Sequence, residues 1–262
     1  MPRFAANLTM MFTELPFMER FQAARSAGFR AVEYLFPYEV EATDLRRALD
    51  DAGLVQVLFN APPGGDFAKG ARGLAALPGR EAEYRDSISL ALDYARILDV
   101  PRIHVMAGNR VEALSEAEQT ACYVSALQDA AAMAAKAGVT LLIEPLNPFD
   151  MPGYVLSSVQ QAADILQRAG ALNLKIQYDL YHQSRFGGDL VGTFGRYCDL
   201  IGHIQMAGNP GRHEPDTGEV DYSFVFAELD RLGYAGWIGC EYRPRAGTGE
   251  GLGWFGPWKE QA

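Results

Sequence analysis

The 262-residue chain is poor in cysteine, with only Cys122, Cys198 and Cys240 spread along the sequence and no CxxC pair. This usage argues against a disulfide framework and is typical of a protein of the reducing cytoplasm. No apolar run reaches the roughly 18 residues of a membrane-spanning helix, and the opening residues lack the continuous apolar stretch of a signal peptide. We therefore expect a cytoplasmic protein that does not cross a membrane.

Basic residues are also in the minority. There are 23 Lys and Arg against 33 Asp and Glu, which gives a formal net charge of -10 at pH 7. Such a chain repels the phosphates of nucleic acids and the surface of anionic membranes, so we expect neither as a partner. If the protein acts on a small anion, its pocket needs a dedicated cationic side chain.

No G-x-G-x-x-G motif stands at a strand–helix junction, which argues against a dinucleotide-binding open sheet. Short apolar runs instead alternate with longer amphipathic ones. Their β-branched and aromatic residues predict eight strands, at 3–8, 31–36, 55–60, 102–107, 140–145, 174–179, 201–206 and 237–242. Eight β-then-α units in about 250 residues predict a single (β/α)8 TIM barrel of the α/β class. Because no change of composition divides residues 1–262, we expect one domain.

Helical patterns follow most of these strands. Ser115, with Glu118 three residues later, predicts the beginning of a long helix, and Gly28 predicts the end of the first helix. The patterns are weaker after the second, sixth and eighth strands, where the segment 44–53 is the best candidate.

The segment 61–80 departs from this regular alternation. It reads APPGGDFAKGARGLAALPGR and is rich in Gly and Pro. Long irregular loops inside compact domains are usually functional or disordered. We expect a lid over the ends of the strands, and a floppy insertion is the alternative.

Four consecutive predicted strands end on an oxygen-bearing side chain, and these are Glu144, Asp179, Gln205 and Glu241. In a barrel, the carboxyl ends of the strands converge at one face, where active sites lie. Three carboxylates there would repel one another, and a divalent cation bound between them would offset that repulsion. Since all four ligands are hard oxygens, the set predicts Mg²⁺ or Mn²⁺ rather than Zn²⁺. The alternative is that they are unrelated polar residues bonded to helix N-termini.

A second polar set lies at or just beyond the strand ends, and it includes Asn60, Asn147, Asp150, His182 and Arg212. A cation and a histidine beside an acidic cluster suit a small anionic substrate, because arginine can hold a carboxylate with two parallel hydrogen bonds. For Arg212 the alternative is a surface ion pair with Glu214 or Asp216. His104 and His203 lie within strands, where we expect hydrogen-bonded core histidines, and Cys240 should point away from Glu241 toward the helices.

Long stretches of the chain resemble the bacterial hydroxypyruvate isomerase family, which includes the 2-oxo-tetronate isomerases and belongs to the xylose isomerase-like barrels. The stretches are MPRFAANLTMMF, VEYLFPY, ALPGRE, IEPLN, IQYDLYH, IGHIQMAGNPGRHEPDTGEVDY and GWIGCEY. The resemblance implies that Glu144 and Glu241 donate and accept protons, and that both bind the metal with Asp179 and Gln205. It also suggests that Asp150, His182 and Arg212 contact the substrate.

The resemblance implies interconversion of hydroxypyruvate and tartronate semialdehyde (2-hydroxy-3-oxopropanoate) by metal-assisted proton transfer through an enediolate. The alternative is the same chemistry on 2-oxo-tetronate, and the motifs do not separate the two substrates. Ketose 3-epimerases typically have His where this chain has Gln205, which disfavours epimerisation. Four histidines and the net charge of -10 disfavour a zinc nuclease like endonuclease IV. A non-catalytic sugar-acid binding protein would not need two candidate bases on a metal, and a homo-oligomer is compatible with the sequence.

Overall fold

Eight parallel strands close into a barrel in the computed structural model, which describes residues 2–259. In chain order the strands are β1 Arg3–Asn7, β2 Ala31–Glu33, β3 Val55–Asn60, β4 Arg102–His104, β5 Thr140–Ile143, β6 Leu174–Asp179, β7 Ile201–Met206 and β8 Trp237–Cys240. Each strand pairs with its sequence neighbours, and β1 pairs with β8 to close the ring. The predicted (β/α)8 barrel is therefore confirmed.

The α-helices of the described residues surround this barrel. They are α1 Arg20–Ala27, α2 Ala42–Ala52, α3 Glu81–Leu98, α4 Glu116–Lys136, α5 Val159–Ala169, α6 Leu180–Phe186, α7 Leu190–Tyr197 and α8 Tyr222–Arg231. Two short helices, α6 and α7, follow β6, and a 3-10 helix at Leu252–Trp258 follows β8. The helical pattern of the sequence is weak at both places, and it is also weak after β2, where α2 is nevertheless a regular helix. Within residues 2–259, none of the helices is long and apolar enough to span a membrane.

Two helix ends carry the signals that the sequence predicted. The Ser115 hydroxyl accepts a hydrogen bond from the Glu118 amide, and the Glu118 carboxylate accepts one from the Ser115 amide at 2.9 Å. This reciprocal pair satisfies donors that the first turn of α4 leaves without helical partners. Gly28 ends α1 in the left-handed conformation with φ 110°, which glycine adopts at little cost.

Five strands, β1, β2, β4, β5 and β8, end earlier than predicted. β5 ends at Ile143 and β8 at Cys240, so Glu144 and Glu241 each lie one residue beyond a strand. After Glu144, Pro145 has no N–H with which to extend the ladder. Both carboxylates consequently stand at the mouth of the barrel, at the carboxyl ends of the strands.

The segment between β3 and α3 is folded against the barrel. It contains a 3-10 helix at Phe67–Lys69, and Leu74 is buried. Gly73 forms an antiparallel bridge with Ala107, which follows β4. A Cβ on Gly73 would lie 2.1 Å from the carbonyl oxygen of Met106, so only glycine permits this close approach.

The apolar core fills the space between the strands and the helices. Phe4 of β1 packs against Phe226 of α8 and against Trp254 and Trp258 of the C-terminal 3-10 helix, with ring centroids 5.0–5.8 Å apart. Cys240 belongs to the same core, on the face of β8 that points away from Glu241. The aromatic residues of the C-terminal 3-10 helix therefore pack on the outer face of the barrel wall.

Candidate active site

The mouth of the barrel brings together the four predicted strand-end side chains and buries all of them. Asp179 and Gln205 are direct partners across β6 and β7, and Gln205 is the partner of Gly239, two residues before Glu241. One arginine, Arg212, contacts both Asp179 and Glu241. Glu144 and Asp179 each present an oxygen within 4.8 Å of the other and of a nitrogen of His182.

Glu144 is the least compensated of the carboxylates. Its Oε1 has no hydrogen-bond partner among residues 2–259, and its Oε2 lies 3.7 Å from Nδ1 of His104. Burial raises the pKa of Glu144 well above its usual value, and the charges of Glu241 and Asp179 raise it further. A buried carboxylate with a free oxygen is a costly arrangement unless a ligand or a cation completes it.

Asp179 ends β6 and caps α6. Its Oδ1 accepts a 2.8 Å hydrogen bond from the amide of Tyr181, which fixes the side chain at the first turn of the helix. Its Oδ2 lies 3.6 Å from Nε2 of His182 and 3.4 Å from Nη2 of Arg212. Burial raises the pKa of Asp179, and the positive charge of Arg212 opposes that increase.

Arg212 and Glu241 form the closest ion pair in this cluster. Nη2 of Arg212 donates to Oε2 of Glu241 at 2.7 Å, and the guanidinium lies 5.0 Å above the ring of Tyr181. Burial raises the pKa of Glu241 to about 8, although the charge of Arg212 opposes this. Arg212 has a left-handed backbone with φ 54°, which non-glycine residues adopt at some cost and which is often found at functional sites. The pair with Glu214 or Asp216 that the sequence left open is not formed.

Gln205 is held in place by polar groups inside the barrel. Its Nε2 donates to Oε1 of Glu33 at 2.7 Å, and its Oε1 accepts from Nε2 of Gln177 at 2.6 Å. Glu33 also contacts Asn7 Nδ2 at 3.0 Å and His203 Nε2 at 2.7 Å. His203 is therefore a hydrogen-bonded interior histidine, as expected from its position within a strand.

Sequence reasoning missed Glu33 and Gln177. The available signal was the alternation of strand side chains, because Glu33 ends β2 in a fully buried strand. Gly239 makes room for this carboxylate, since a Cβ at that position would lie 2.3 Å from both Glu33 oxygens. No short sequence motif marks the close approach of Glu33 to Gly239. That approach depends on how β2 and β8 pack in the closed barrel.

His182 and Asp150 form a second polar group beside the carboxylates. Nδ1 of His182 accepts from the backbone amide of Asn147 at 3.1 Å, and Asn147 Nδ2 donates to Asp150 at 3.0 Å. Asp150 also accepts from the Tyr181 hydroxyl at 2.7 Å and lies 3.5 Å from Arg185. Burial lowers the pKa of His182 well below its usual value, which favours the neutral imidazole.

Asn60 lies apart from this arrangement. It ends β3 in a buried position, and its backbone carbonyl accepts a 2.7 Å hydrogen bond from the Tyr38 hydroxyl. No contact of the described residues joins its side chain to Glu144, Asp179 or Glu241. Its role in substrate binding stays a prediction.

The donor chemistry of the mouth fits a metal ion. Glu144, Asp179 and His182 form a buried group that can hold one, and the unpartnered oxygen of Glu144 is available as a ligand. Gln205 and Glu241 also offer oxygens but are bonded to Glu33, Gln177 and Arg212 in this structure. The predicted four-oxygen ligand set therefore stays a prediction, and His182 is a further donor that the sequence reasoning did not assign to the metal.

The fold and the buried acidic mouth define a TIM barrel with a candidate metal-dependent active site. Residues 21–258 match the family model of the xylose isomerase-like TIM barrels. The 2-oxo-tetronate isomerase of Cupriavidus necator is 55% identical over 98% of this chain and 99% of its own, and the hydroxypyruvate isomerase of Escherichia coli is 43% identical over 99% and 100%. A crystal structure described as an AP endonuclease, family 2, from Brucella melitensis has a TM-score of 0.96 at 45% identity, covering 98% of this chain and 99% of that one. The chain belongs to the xylose isomerase-like TIM barrel family, and the isomerase class expected from the sequence is confirmed.

Proposed function

We propose that the protein isomerises a short 2-oxo-3-hydroxy acid by moving the carbonyl group from C2 to C3. The observation that carries this proposal is a pair of buried carboxylates, Glu144 and Glu241, at the mouth of a barrel whose full-length relatives are named as isomerases of such acids. Two carboxylates suit this reaction, because they can remove the proton from C3 and deliver one to C2.

Two substrates fit this chemistry. Hydroxypyruvate would give tartronate semialdehyde, and 2-oxo-tetronate would give its 3-oxo isomer. They differ only in a hydroxymethyl group on C3, so the same groups would act on the same C2–C3 unit. The identity of 55% to a 2-oxo-tetronate isomerase, against 43% to a hydroxypyruvate isomerase, favours the four-carbon acid.

Glu144 and Glu241 would move the protons. One carboxylate takes the proton from C3 and leaves an enediolate. The reaction is completed when a proton reaches C2 and the hydroxyl proton on the C3 oxygen passes to the C2 oxygen, which leaves the carbonyl at C3. The free Oε1 of Glu144 is available to a substrate atom, whereas Arg212 holds and orients an oxygen of Glu241. A positioned acid or base typically contributes roughly 10²–10⁴-fold to such a step.

A divalent cation, for which we propose Mg²⁺ or Mn²⁺, would be held by Glu144, Asp179, Gln205 and Glu241. When bound, it would stabilise negative charge on the oxygens of C2 and C3. The support is the free oxygen of Glu144 and the predominance of hard oxygen donors in a buried acidic cluster. The positive charge of the cation would offset the repulsion between the neighbouring carboxylates.

The remaining polar residues would bind and orient the substrate. Arg212 and His182 would contact oxygens at the reacting end of the acid, and their contacts with Asp179 support this assignment. Asp150, held by Asn147 and Tyr181, would hydrogen-bond a substrate hydroxyl. Asn60, at the end of β3, would do the same.

Steady-state kinetics on both acids, with protein loaded separately with Mg²⁺ and Mn²⁺, test this proposal. We expect turnover of at least one acid and loss of turnover after chelation. The ratio of kcat/KM values then assigns the three-carbon or the four-carbon substrate. Absence of turnover with both acids and both metals would contradict the proposed reaction. The net charge of -10 argues against DNA as a substrate of this chain.

A further inference from the structure

Arg72 is a cation beside the mouth that has no carboxylate partner among residues 2–259. Its Nη1 donates to the backbone carbonyls of Phe67 at 2.7 Å and Ala71 at 2.9 Å. Its Nε donates to the sulfur of Met151 at 3.3 Å, and its guanidinium lies 4.3 Å from the ring centroid of Phe67. All four contacts are neutral, so they orient the side chain without cancelling its charge.

The segment 61–80 holds Arg72 against two sides of the mouth. The neighbouring Gly73 is fixed by its bridge to Ala107, beyond β4. Phe67 packs against Phe36 beyond β2, with ring centroids 5.2 Å apart. The contact with Met151 reaches the loop that follows β5, which also carries Glu144 and Asp150. Arg72 therefore lies among the loops at the carboxyl ends of the strands, where barrel enzymes bind their substrates.

Tyr154 lies in the loop that carries Glu144, and it contacts the same residue as the segment that carries Arg72. Its hydroxyl accepts a 2.8 Å hydrogen bond from the amide of Ala107. Burial raises the pKa of Tyr154, the negative charge of Glu144 raises it further, and the positive charge of Arg72 lowers it. Gly73, next to Arg72, bridges Ala107, which donates to Tyr154, so the segment 61–80 and the loop after β5 meet beyond β4.

Two other arginines of the mouth, Arg212 and Arg185, are already paired with carboxylates. Arg212 contacts Glu241 and Asp179, and Arg185 lies 3.5 Å from Asp150. Within a chain of net charge -10, an anionic substrate requires a cation that protein carboxylates have not neutralised. Among these three arginines, Arg72 meets that requirement.

We propose that Arg72 binds the carboxylate of the substrate and that the segment 61–80 acts as the lid that carries it. This inference rests on the proposed isomerisation of a 2-oxo acid. With the carboxylate held by the lid, the C2 and C3 carbons are left for Glu144 and Glu241. Arg212 then acts at the reacting end rather than at the carboxylate. Only a substrate that carries a carboxylate group would then bind productively.

Arg72→Met and Arg72→Lys, in metal-loaded protein, test the inference. Arg110→Met is the matched control, because Arg110 is an exposed arginine beyond β4 and its loss changes the net charge equally. A lost charge-assisted contact should raise KM for the oxo acid roughly 10- to 100-fold in Arg72→Met, with a smaller change in kcat. Arg72→Lys should fall between Arg72→Met and the unchanged protein, and Arg110→Met should behave as the unchanged protein.

A binding measurement separates charge recognition from a structural role of Arg72 in the lid. Glycerate and glyceramide differ only in a carboxylate against a neutral amide, and calorimetry on the metal-loaded proteins gives both affinities. We expect the unchanged protein to prefer glycerate, and Arg72→Met to lose that preference while it still binds glyceramide. An equal loss of both affinities, or a preference that survives in Arg72→Met, would overturn the role of Arg72. Failure of the unchanged protein to turn over either acid would count against the proposed reaction, and the glycerate preference would still decide the role of Arg72.

Discussion

Gln205 donates a 2.7 Å hydrogen bond from its side-chain nitrogen to Oε1 of Glu33, which lies across the barrel interior at the end of β2. The contact with Glu33 holds the nitrogen end of the Gln205 amide toward β2. The carbonyl oxygen of Gln205 therefore points away from Glu33. It accepts a hydrogen bond from Gln177 and keeps a second lone pair. Glu33 thus positions the amide that the sequence analysis assigned to the metal.

Glu33→Gln should weaken metal binding. A neutral amide both donates and accepts, so Gln205 would no longer be held in one orientation. Loss of such a positioning contact typically lowers metal affinity roughly 10–100-fold. Calorimetric titration with Mn²⁺ measures the effect. Tyr34→Phe is the control, because it removes a buried hydrogen bond to Gln56 next to Glu33 without touching this network. Unchanged Mn²⁺ affinity in Glu33→Gln would show that Glu33 does not position a ligand.

Glu241→Gln should keep the fold and lose roughly 10²–10⁴-fold in kcat. The amide fills the same volume and can still accept from Arg212, but it cannot take up a proton. Glu214→Gln is the matched control, because Glu214 is also buried but bonds to the amide of Arg245 instead of Arg212. Circular dichroism and kcat on the better of the two acids are the measurements. Turnover of Glu241→Gln at the rate of the unchanged protein would remove Glu241 from the mechanism.

Isomerisation in D2O should place deuterium on carbon. Proton transfer through an enediolate brings the migrating hydrogen onto a carboxylate, from which it can exchange with solvent before it returns to carbon. Mass spectrometry of the product and of the recovered substrate measures the incorporation. Quantitative retention of the original hydrogen in both molecules would favour a direct hydride shift and contradict the proposed step.

Ser115→Ala should destabilise the fold without affecting the site. The substitution removes one half of the capping box at the beginning of α4, which is worth about 1 kcal/mol. For a protein of this size the expected decrease in Tm is roughly 2–4 °C. Ser125→Ala, at an exposed position inside the same helix, should leave Tm unchanged or raise it slightly. An equal Tm for the two variants would show that the cap contributes nothing.

The barrel and most of its acidic mouth follow from local sequence patterns. Asp179 and Gln205 stand at strand ends as predicted, and Glu144 and Glu241 stand one residue beyond because β5 and β8 are shorter than expected. Two patterns predict these strand-end positions: the alternation of apolar and polar residues along a strand, and the alternation of strands with helices. Both depend only on residues that are close in sequence.

The contacts between these side chains could not be predicted in the same way. Arg212 reaches Glu241 from a loop with a left-handed backbone, and its φ of 54° is not encoded by any glycine. Glu33 meets Gln205 because β2 faces β7 across a closed interior, and that depends on how the whole ring packs. Both contacts join residues more than 25 positions apart, whereas propensity and periodicity describe only local sequence.

Arg212→Met should destabilise the metal-free protein more than the metal-loaded one. In this structure Arg212 is the cation that contacts both Asp179 and Glu241, so its removal leaves two buried carboxylates without their partner. Removing one member of a buried pair typically costs about 3–5 kcal/mol. Bound Mn²⁺ would supply positive charge to the same carboxylates and offset part of that loss. Thermal unfolding of both proteins, with and without Mn²⁺, should therefore show a larger metal-induced increase in Tm for Arg212→Met. Equal increases in Tm would show that the arginine and the metal do not neutralise the same charges.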